Sequence, residues 1–427
     1  MNKKPSFENS HARHKAPPQK IRSEGPRPPS TSRTEMSETA SYEFFLICQP
    51  GFEDLLLAEL GAWNLGPQLN PQIERGGVTV TATLSYGFAL NQILRIPNRI
   101  LLRLADFGCR DFPKLYKKMA AFPWENWLPA NQKLMFSASS SNSWLKIKKR
   151  IEETCSEGLK ARLKSIGSKP LAQSLSQSPT DQVPIEVQIR FVDDVCTVSL
   201  DTSGEILHKR GSRPLSSLAP LRESTAAALL RLMIRHSRHN PPHELVDPMT
   251  GSGTFLIEAA LLNRQLTDRE FAFTRLTKVI APHQFPDRPQ DLFAKFVGFD
   301  SNSRILEAAR ENLAKIKTQV KGSPQVELRA EDFLKAEPLL AGCDRWLIAN
   351  PPYGERIAVD RPLKQFYESL MAASEKVARP SVSCFIFPES IGPSSLRHPE
   401  NWLLCEQLKF SNGGIPVVAH CYVTRSD

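Results

Sequence analysis

Residues 244–254 read Glu-Leu-Val-Asp-Pro-Met-Thr-Gly-Ser-Gly-Thr. Glu244–Asp247 is a short apolar strand ending on a carboxylate, and from Gly253 to Arg264 the apolar residues recur at helical spacing. A strand that passes through a glycine turn into a helix is the opening unit of a parallel, doubly wound α/β sheet. Gly251 and Gly253 let the backbone run close beneath a ligand, and the helix start offers free N–H groups. Leu256 stands where a dinucleotide fingerprint would need its third glycine, and Asp247 would repel a pyrophosphate. The site suits a cationic or amine-bearing ligand better.

Strands and helices alternate on both sides of this stretch. Helix 222–236 precedes it; strand 296–300, helix 303–317, strands 325–329 and 345–349, helix 361–376 and strand 382–387 follow. Two further strands, 402–410 and 417–424, complete a mostly parallel sheet. Three of the strand ends carry polar groups. Gly298-Phe-Asp300 puts a carboxylate where it can accept both ribose hydroxyls of a nucleoside or cap the next helix. It lies 47 residues beyond Gly253, against about 20 in the dinucleotide fold, because a long connection, 265–292, intervenes. Asp332, after strand 325–329, can meet an adenine amine or simply make a turn. Asn350-Pro-Pro-Tyr353 follows the apolar strand Trp346–Ala349. Pro351 and Pro352 hold the backbone rigid, so the Asn350 amide and the Pro351 carbonyl can accept hydrogens from an exocyclic amine while Tyr353 stacks on its base.

The chain has 427 residues, enough for two or three domains, and its 41% hydrophobic content excludes global disorder. Lys and Arg number 55 against 45 Asp and Glu, a net +10 that favours a polyanionic partner. Residues 1–40 hold six prolines, one aromatic (Phe7), eight Lys or Arg and four Glu, so they bury too little apolar surface to order and are expected to be a disordered basic tail. No secretory signal and no transmembrane run is present, and the eight scattered cysteines form no metal-ligand spacing. They read as reduced core residues of a cytosolic protein that holds no metal and meets no membrane. Between 42 and 201 the elements follow a βαβ…αββ order, with a long helix at about 143–166, a Ser/Pro/Gln-rich break at 167–184, and strands 185–191 and 194–201 meeting at Asp193-Asp194. That order fits small α+β units.

Asp247-Pro-Met-Thr-Gly-Ser-Gly-Thr-Phe-Leu-Ile-Glu-Ala-Ala and Asn350-Pro-Pro-Tyr-Gly-Glu-Arg resemble the THUMP-domain, S-adenosylmethionine-dependent RNA methyltransferases. Within them the chain is most similar to the RlmL/YpsC-type enzymes that methylate guanine N2 in large-subunit (23S) ribosomal RNA. Pro50-Gly-Phe-Glu-Asp-Leu-Leu, Pro123-Trp124, His208-Lys-Arg-Gly211, Ala219-Pro-Leu-Arg-Glu-Ser224 and Ser411-Asn-Gly-Gly-Ile415 extend the likeness from about residue 42 to the end. Thr250 stands where relatives often carry Cys. The resemblance implies a class I, Rossmann-like methyltransferase domain over 209–427, the first part of a ferredoxin-like unit over 41–98 and a THUMP-type RNA-binding domain over 99–208. It implies that Asp247, Gly251 and Gly253 hold the methionine end of S-adenosylmethionine, Asp300 its ribose and Asp332 its adenine, with Thr254 among the cofactor-binding residues. Asn350, which borders the cofactor, would with Pro351, Pro352 and Tyr353 form the catalytic loop.

Inside such a domain, Lys146, Lys148, Lys149, Arg150 and Lys164 are candidates for phosphate contact, although a solvated helix face is an equal alternative. Lys209, Arg210 and Arg213 can carry RNA or simply join the two halves. Arg222-Glu223 either closes over the cofactor or forms a capping pair. Two other activities stay open: methylation of transfer-RNA guanine or adenine N6, and an RNA-binding assembly factor without turnover.

Overall fold

Aromatic and branched aliphatic residues build β1 (Ser41–Ile47), and Gly51 turns the chain into α1 (Glu53–Ala62). There follow α2 (Gly66–Leu69), β2 (Gln72–Glu74), β3 (Gly77–Thr83), α3 (Leu84–Ile93) and β4 (Arg99–Gly108). The four strands pair antiparallel in the order β2-β3-β1-β4, the βαββαβ arrangement of a ferredoxin-like unit. Neither α2 nor β2 is visible as a sequence pattern: each is three or four residues long, and β2 buries almost nothing.

The computed structural model describes residues 36–129, 132–167, 184–210, 221–237, 243–266, 269–286, 292–319, 324–354 and 361–425. Nearly all of the expected tail, most of the 167–184 break, and Arg213 lie outside the described residues.

The chain continues through α4 (Phe112–Ala121), β5 (Leu134–Ser141), α5 (Lys148–Ser165), β6 (Ile185–Val192) and β7 (Val195–Asp201). Asp111 caps α4, its Oδ1 accepting from Lys114 N–H at 2.7 Å. β5 and β6 are parallel and joined across α5; β6 and β7 form a hairpin whose two turn residues, Asp193 and Asp194, have φ of 50° and 63°. β7 then pairs with β4, so β4 is hydrogen-bonded to both β1 and β7 and one seven-stranded sheet runs through the whole front half. The expected division at 98/99 therefore falls at the first residue of a shared strand. α5 begins five residues later than its apolar spacing predicts. Ser143 Oγ donates to the Ser141 carbonyl and accepts from Asp194 N–H, and Trp144 N–H donates to Asp194 Oδ1, so 142–147 are held as a loop.

The back half contains α6 (Glu223–His236), β8 (Glu244–Asp247), α7 (Thr254–Ala260), β9 (Lys295–Phe299), α8 (Ser303–Gln319), β10 (Gln325–Arg329) and β11 (Arg345–Ala349). It ends with α9 (Leu363–Val377), β12 (Val382–Pro388), β13 (Trp402–Asn412) and β14 (Ile415–Thr424). The strand order is β10-β9-β8-β11-β12-β14-β13; the first five are parallel, and β14 runs antiparallel to both neighbours. β8, β11 and β12 are buried on every residue, as central strands covered by helices on both faces must be. This is the doubly wound sheet that the sequence pattern implies.

The long connection after α7 has a definite task. Leu266 N–H donates to the Gln92 carbonyl, Phe273 N–H to Thr202, Thr277 N–H to Trp127 and His283 N–H to Ser85. Phe273 stacks on Phe88 with ring centroids 4.8 Å apart, and His283 stacks on Tyr86 at 4.2 Å. The connection thus fastens the back half to the front half, both at the ferredoxin-like unit and beyond it. A buried polar joint reinforces it: Glu59 accepts the backbone N–H groups of Arg95 and Ile96 at 2.8 and 3.0 Å, and the Arg95 guanidinium donates to the Arg264 carbonyl.

Six of the eight cysteines are buried, with Cys343 half-buried and Cys405 exposed. No group of three or more His, Cys, Asp or Glu converges among the described residues, and none of the helices searched there is long and apolar enough to cross a membrane.

Candidate active site

The strand order reverses between β8 and β11, and in doubly wound sheets the crevice at such a reversal, beyond the C-terminal strand ends, is where ligands bind. Asp247, Asp300 and Asn350 stand at or just past the ends of β8, β9 and β11, three neighbouring strands.

Asp247 is 1% exposed. Its Oδ1 accepts from Met249 N–H at 3.1 Å, while its backbone carbonyl accepts from Thr250 Oγ1 at 3.0 Å. Burial, aided by the neighbouring Asp300 charge, pushes its carboxyl up to about 8, so it tends to hold its proton near neutral pH. A cationic group placed beside it would draw it back to the charged form. The loop beyond it needs glycine where Gly251 and Gly253 adopt φ of 53° and 88°. Gly298 is required for a different reason: a Cβ there would lie 2.5 Å from Thr250 Oγ1 and 2.7 Å from Leu328 Cδ2. β9 can approach the glycine loop only because that side chain is missing.

Asp300 supports the loop directly. Its Oδ2 accepts from Gly251 N–H at 3.0 Å and its Oδ1 from Asn302 N–H at 2.9 Å. A carboxylate has about four acceptor positions, so lone pairs remain for a ligand's hydroxyls. Asp332 is exposed; its Oδ1 accepts from Leu334 N–H at 3.1 Å and its other oxygen faces Lys335 at 3.7 Å. The turn role is therefore present at Asp332.

The Asn350–Tyr353 loop is held at several points. Tyr353 Oη donates to Asn350 Oδ1 at 2.6 Å and accepts from Asn412 Nδ2 at 2.9 Å; Tyr367 Oη donates to the Pro352 carbonyl at 2.7 Å. Burial raises the Tyr353 hydroxyl well above the usual phenol range, so it stays a donor. Pro351 is buried, and among the described residues nothing donates to its carbonyl.

Thr254, the first residue of α7, lines a groove with Ser252, Arg210, Glu223, Ile257, Asn312, Lys315 and Ile316. Glu223, the first residue of α6, stands in that groove; its carboxyl accepts its own backbone N–H in the first turn, and burial beside Glu258 raises it to about 7. Gln49 carries no signal of a role in the sequence, and Asn412 only that of its stretch in the family likeness. Asn412 lies in the Ser411–Ile415 stretch, whose position against Asn350 depends on sheet order alone.

The basic candidates separate. Lys146, Lys148, Lys149 and Arg150 are all exposed at the start of α5, and Lys164 is exposed near its end. Lys209 is exposed and paired with Glu205 at 2.9 Å. At Arg210 the structure corrects the expectation of phosphate contact: the residue is 9% exposed, its guanidinium clasps Glu258 at 3.0 and 2.9 Å, and it donates to the Leu207 and Arg95 carbonyls. It joins the two halves and offers nothing to solvent phosphate.

Sheet order, the glycine turn after β8 and the acidic and Asn-Pro-Pro-Tyr strand ends together define a class I methyltransferase domain behind a ferredoxin-like front unit. Residues 210–414 match the model of the RMKL-like methyltransferase domain, and residues 43–101 that of the RlmL ferredoxin-like domain. Among relatives, the ribosomal RNA large subunit methyltransferase K/L of Syntrophotalea carbinolica is 31% identical over 349 residues, covering 78% of this chain and 47% of the relative. That of Marinobacter nauticus is 27% identical over 401 residues, covering 88% and 52%. The chain spans about half the length of these curated relatives. A solved structure described as "a possible methylase from Clostridium difficile 630" superposes with a TM-score of 0.73 at 27% identity, covering 91% of this chain and 99% of that one. TrmN from Thermus thermophilus shares the fold at a TM-score of 0.65, with 18% identity and coverage of 90% and 100%.

Proposed function

We propose that this chain transfers a methyl group from S-adenosylmethionine to the exocyclic N2 amine of a guanine in large-subunit ribosomal RNA. The observation that carries the proposal is the placing of the Asn350–Tyr353 loop beside two carboxylates on neighbouring strand ends. Relatives named for large-subunit ribosomal RNA methylation support the substrate class. The donor set suits the cofactor. Asp247 is a buried carboxyl in want of a cation, which an amino-acid ammonium supplies, and Gly251 and Gly253 leave room beside it. Asp300 retains acceptor positions for ribose hydroxyls, and Asp332 stands at the adjoining strand end for the adenine amine. Thr254 completes the cofactor side of the loop.

When bound, the cofactor supplies an electrophilic sulfonium methyl group. The chain's own part is orientation. A guanine N2 is conjugated with its ring and is a poor nucleophile, so Asn350 Oδ1 and the Pro351 carbonyl accept its two hydrogens and aim the lone pair. The same two acceptors favour the positive charge that develops on nitrogen. Positioning of this kind is worth roughly 7–11 kcal/mol in favourable intramolecular systems. No strong base is needed, since a methylated aminium loses its proton readily. Pro352 keeps the loop rigid, and the Tyr353 ring is the stacking surface for the base. A paired guanine cannot reach this loop, so the target is unpaired or flipped out, at a cost of a few kcal/mol.

The front half takes the role of RNA grip, with a THUMP-type unit built on β4–β7 and with Lys146, Lys148, Lys149, Arg150, Lys164 and Lys209 facing phosphate. The work of such an enzyme lies in the cytoplasm, where ribosomes are made. Incubation with labelled S-adenosylmethionine and unmodified 23S ribosomal RNA, with mass mapping of the product, tests the proposal. A single N2-methylguanine is the expected product. Transfer to transfer RNA alone, or to adenine, would replace the substrate, and no transfer to any RNA would favour an assembly factor.

A further inference from the structure

Asn412 closes β13 at a two-residue turn, Gly413-Gly414, whose φ values of 60° and 91° match the hairpin type that needs both residues left-handed. That turn fixes where the Asn412 side chain emerges. Its Nδ2 donates to Tyr353 Oη at 2.9 Å, and Tyr353 Oη donates to Asn350 Oδ1 at 2.6 Å. A hydroxyl that accepts one bond donates more strongly in the next, so the three side chains form a directed relay.

The hairpin is itself held by the ferredoxin-like unit. Gln49 Nε2 donates to the Ser411 carbonyl at 2.8 Å, and the Phe52 and Phe410 ring centroids are 5.3 Å apart. Gly51, with φ of 95°, lies so close that a Cβ would meet the Lys409 carbonyl at 3.0 Å. Pro50-Gly-Phe and Ser411-Asn-Gly-Gly, two stretches without an assigned role, therefore touch each other and end at the amine-accepting loop.

We propose that Asn412 is a positioning residue for methyl transfer, holding Tyr353 so that the Asn350 amide oxygen, not its NH2, serves as the acceptor, and that Gln49 makes this relay sensitive to the placement of the front unit. The proposal rests on the role of Asn350 as amine acceptor. The relay occupies one lone pair of Asn350 Oδ1 and leaves the other for the substrate. Without the relay, the amide can rotate and present a donor to a donor.

Asn412→Asp is the informative variant, because it keeps size and shape but removes the donor, and the Tyr353 hydroxyl then turns to the new carboxylate and leaves Asn350. Single-turnover transfer to ribosomal RNA is expected to slow at least tenfold, with KM for RNA and for cofactor within about twofold of wild type. Tyr353→Phe should slow it comparably, and adding Asn412→Asp to Tyr353→Phe should cost nothing more. Gln49→Ala should lower the rate a few-fold by the same route. Additive losses, a rate for Asn412→Asp equal to wild type, or a change confined to KM would overturn the relay. A second measurement is independent of turnover: with 3-fluorotyrosine incorporated, the resonance missing from Tyr353→Phe should shift in Asn412→Asp while that of exposed Tyr116 does not. An unmoved resonance sinks the relay whatever the activity. A moved resonance in a protein that methylates no RNA keeps the relay and sinks only the proposed function.

Discussion

Replacing Asp247 by Asn should stabilise the free protein at alkaline pH while removing its hold on the cofactor. The carboxyl lies at about 8 in the folded chain against an ordinary 3.8. Between those values the folded state binds the proton that the unfolded chain has released, so stability is greatest below about 4 and is lost as pH rises toward 8. At ~1.36 kcal/mol per pH unit the loss is on the order of 5 kcal/mol when complete, and about 1–2 kcal/mol at pH 5. The substituted amide would titrate in neither state, yet its oxygen can still accept the Met249 N–H that Asp247 accepts at 3.1 Å. Urea unfolding of both proteins at pH 5, 7 and 9 is the assay. The advantage of Asp247→Asn should grow with pH, whatever the other buried carboxyls contribute, since they are common to both proteins. S-adenosylhomocysteine binding supplies the counterpart. In wild type its affinity should rise as pH approaches 8, when the carboxylate an ammonium needs becomes populated, and Asp247→Asn should bind about 10–100-fold more weakly, the worth of a charged hydrogen bond. A stability difference that is flat with pH, or cofactor affinity untouched by the substitution, would refute the assignment of Asp247 as a buried acid awaiting a cation.

Asn350→Ala is expected to abolish methyl transfer while S-adenosylhomocysteine affinity, read by calorimetry, changes less than tenfold; equal loss of both would end the proposed division of roles. Arg210→Ala strands the Glu258 carboxylate, which is 0% exposed, and should cost about 3–5 kcal/mol in urea unfolding, far more than removal of a surface cation. Reversing Lys148, Lys149 and Arg150 to Glu should weaken RNA binding across sequences and flatten its salt dependence by roughly one unit of log–log slope for each phosphate released, leaving cofactor affinity alone. Gly298→Ala forces a Cβ to within 2.5 Å of Thr250 Oγ1, and should lower both the melting temperature and cofactor affinity.

The back half was legible because its signals are local. β8, β10 and β11 lie at the expected residues, since a short apolar run bounded by turn residues has few other places to go. Glycine turns and the Pro-Pro pair are likewise conformational instructions carried by the residues themselves. α5 starts later than its spacing predicts because Ser143 and Asp194 compete for backbone groups from elements about 50 residues apart, and β2 leaves no pattern because its stability comes from its neighbour β3. In the sequence Arg210 can be a phosphate contact or a joint between the halves, as any Arg in a basic run can; only the position of Glu258, on α7, decides that it is a buried joint.

The sequence by itself determined the α/β class, the strand-end carboxylates and the rigid Asn-Pro-Pro-Tyr turn, because dihedral preferences and hydrophobic period act within a few residues. Sheet order was decided by tertiary structure, and with it everything that depends on which strand ends are neighbours. The protonated state of Asp247 needs a low-dielectric enclosure built by several segments. The bond from Asn412 to Tyr353 joins residues 59 positions apart, and the hold of the front unit on the β13–β14 hairpin spans 362. Burial and long-range hydrogen bonding are properties of packing, and no local pattern of residues contains them.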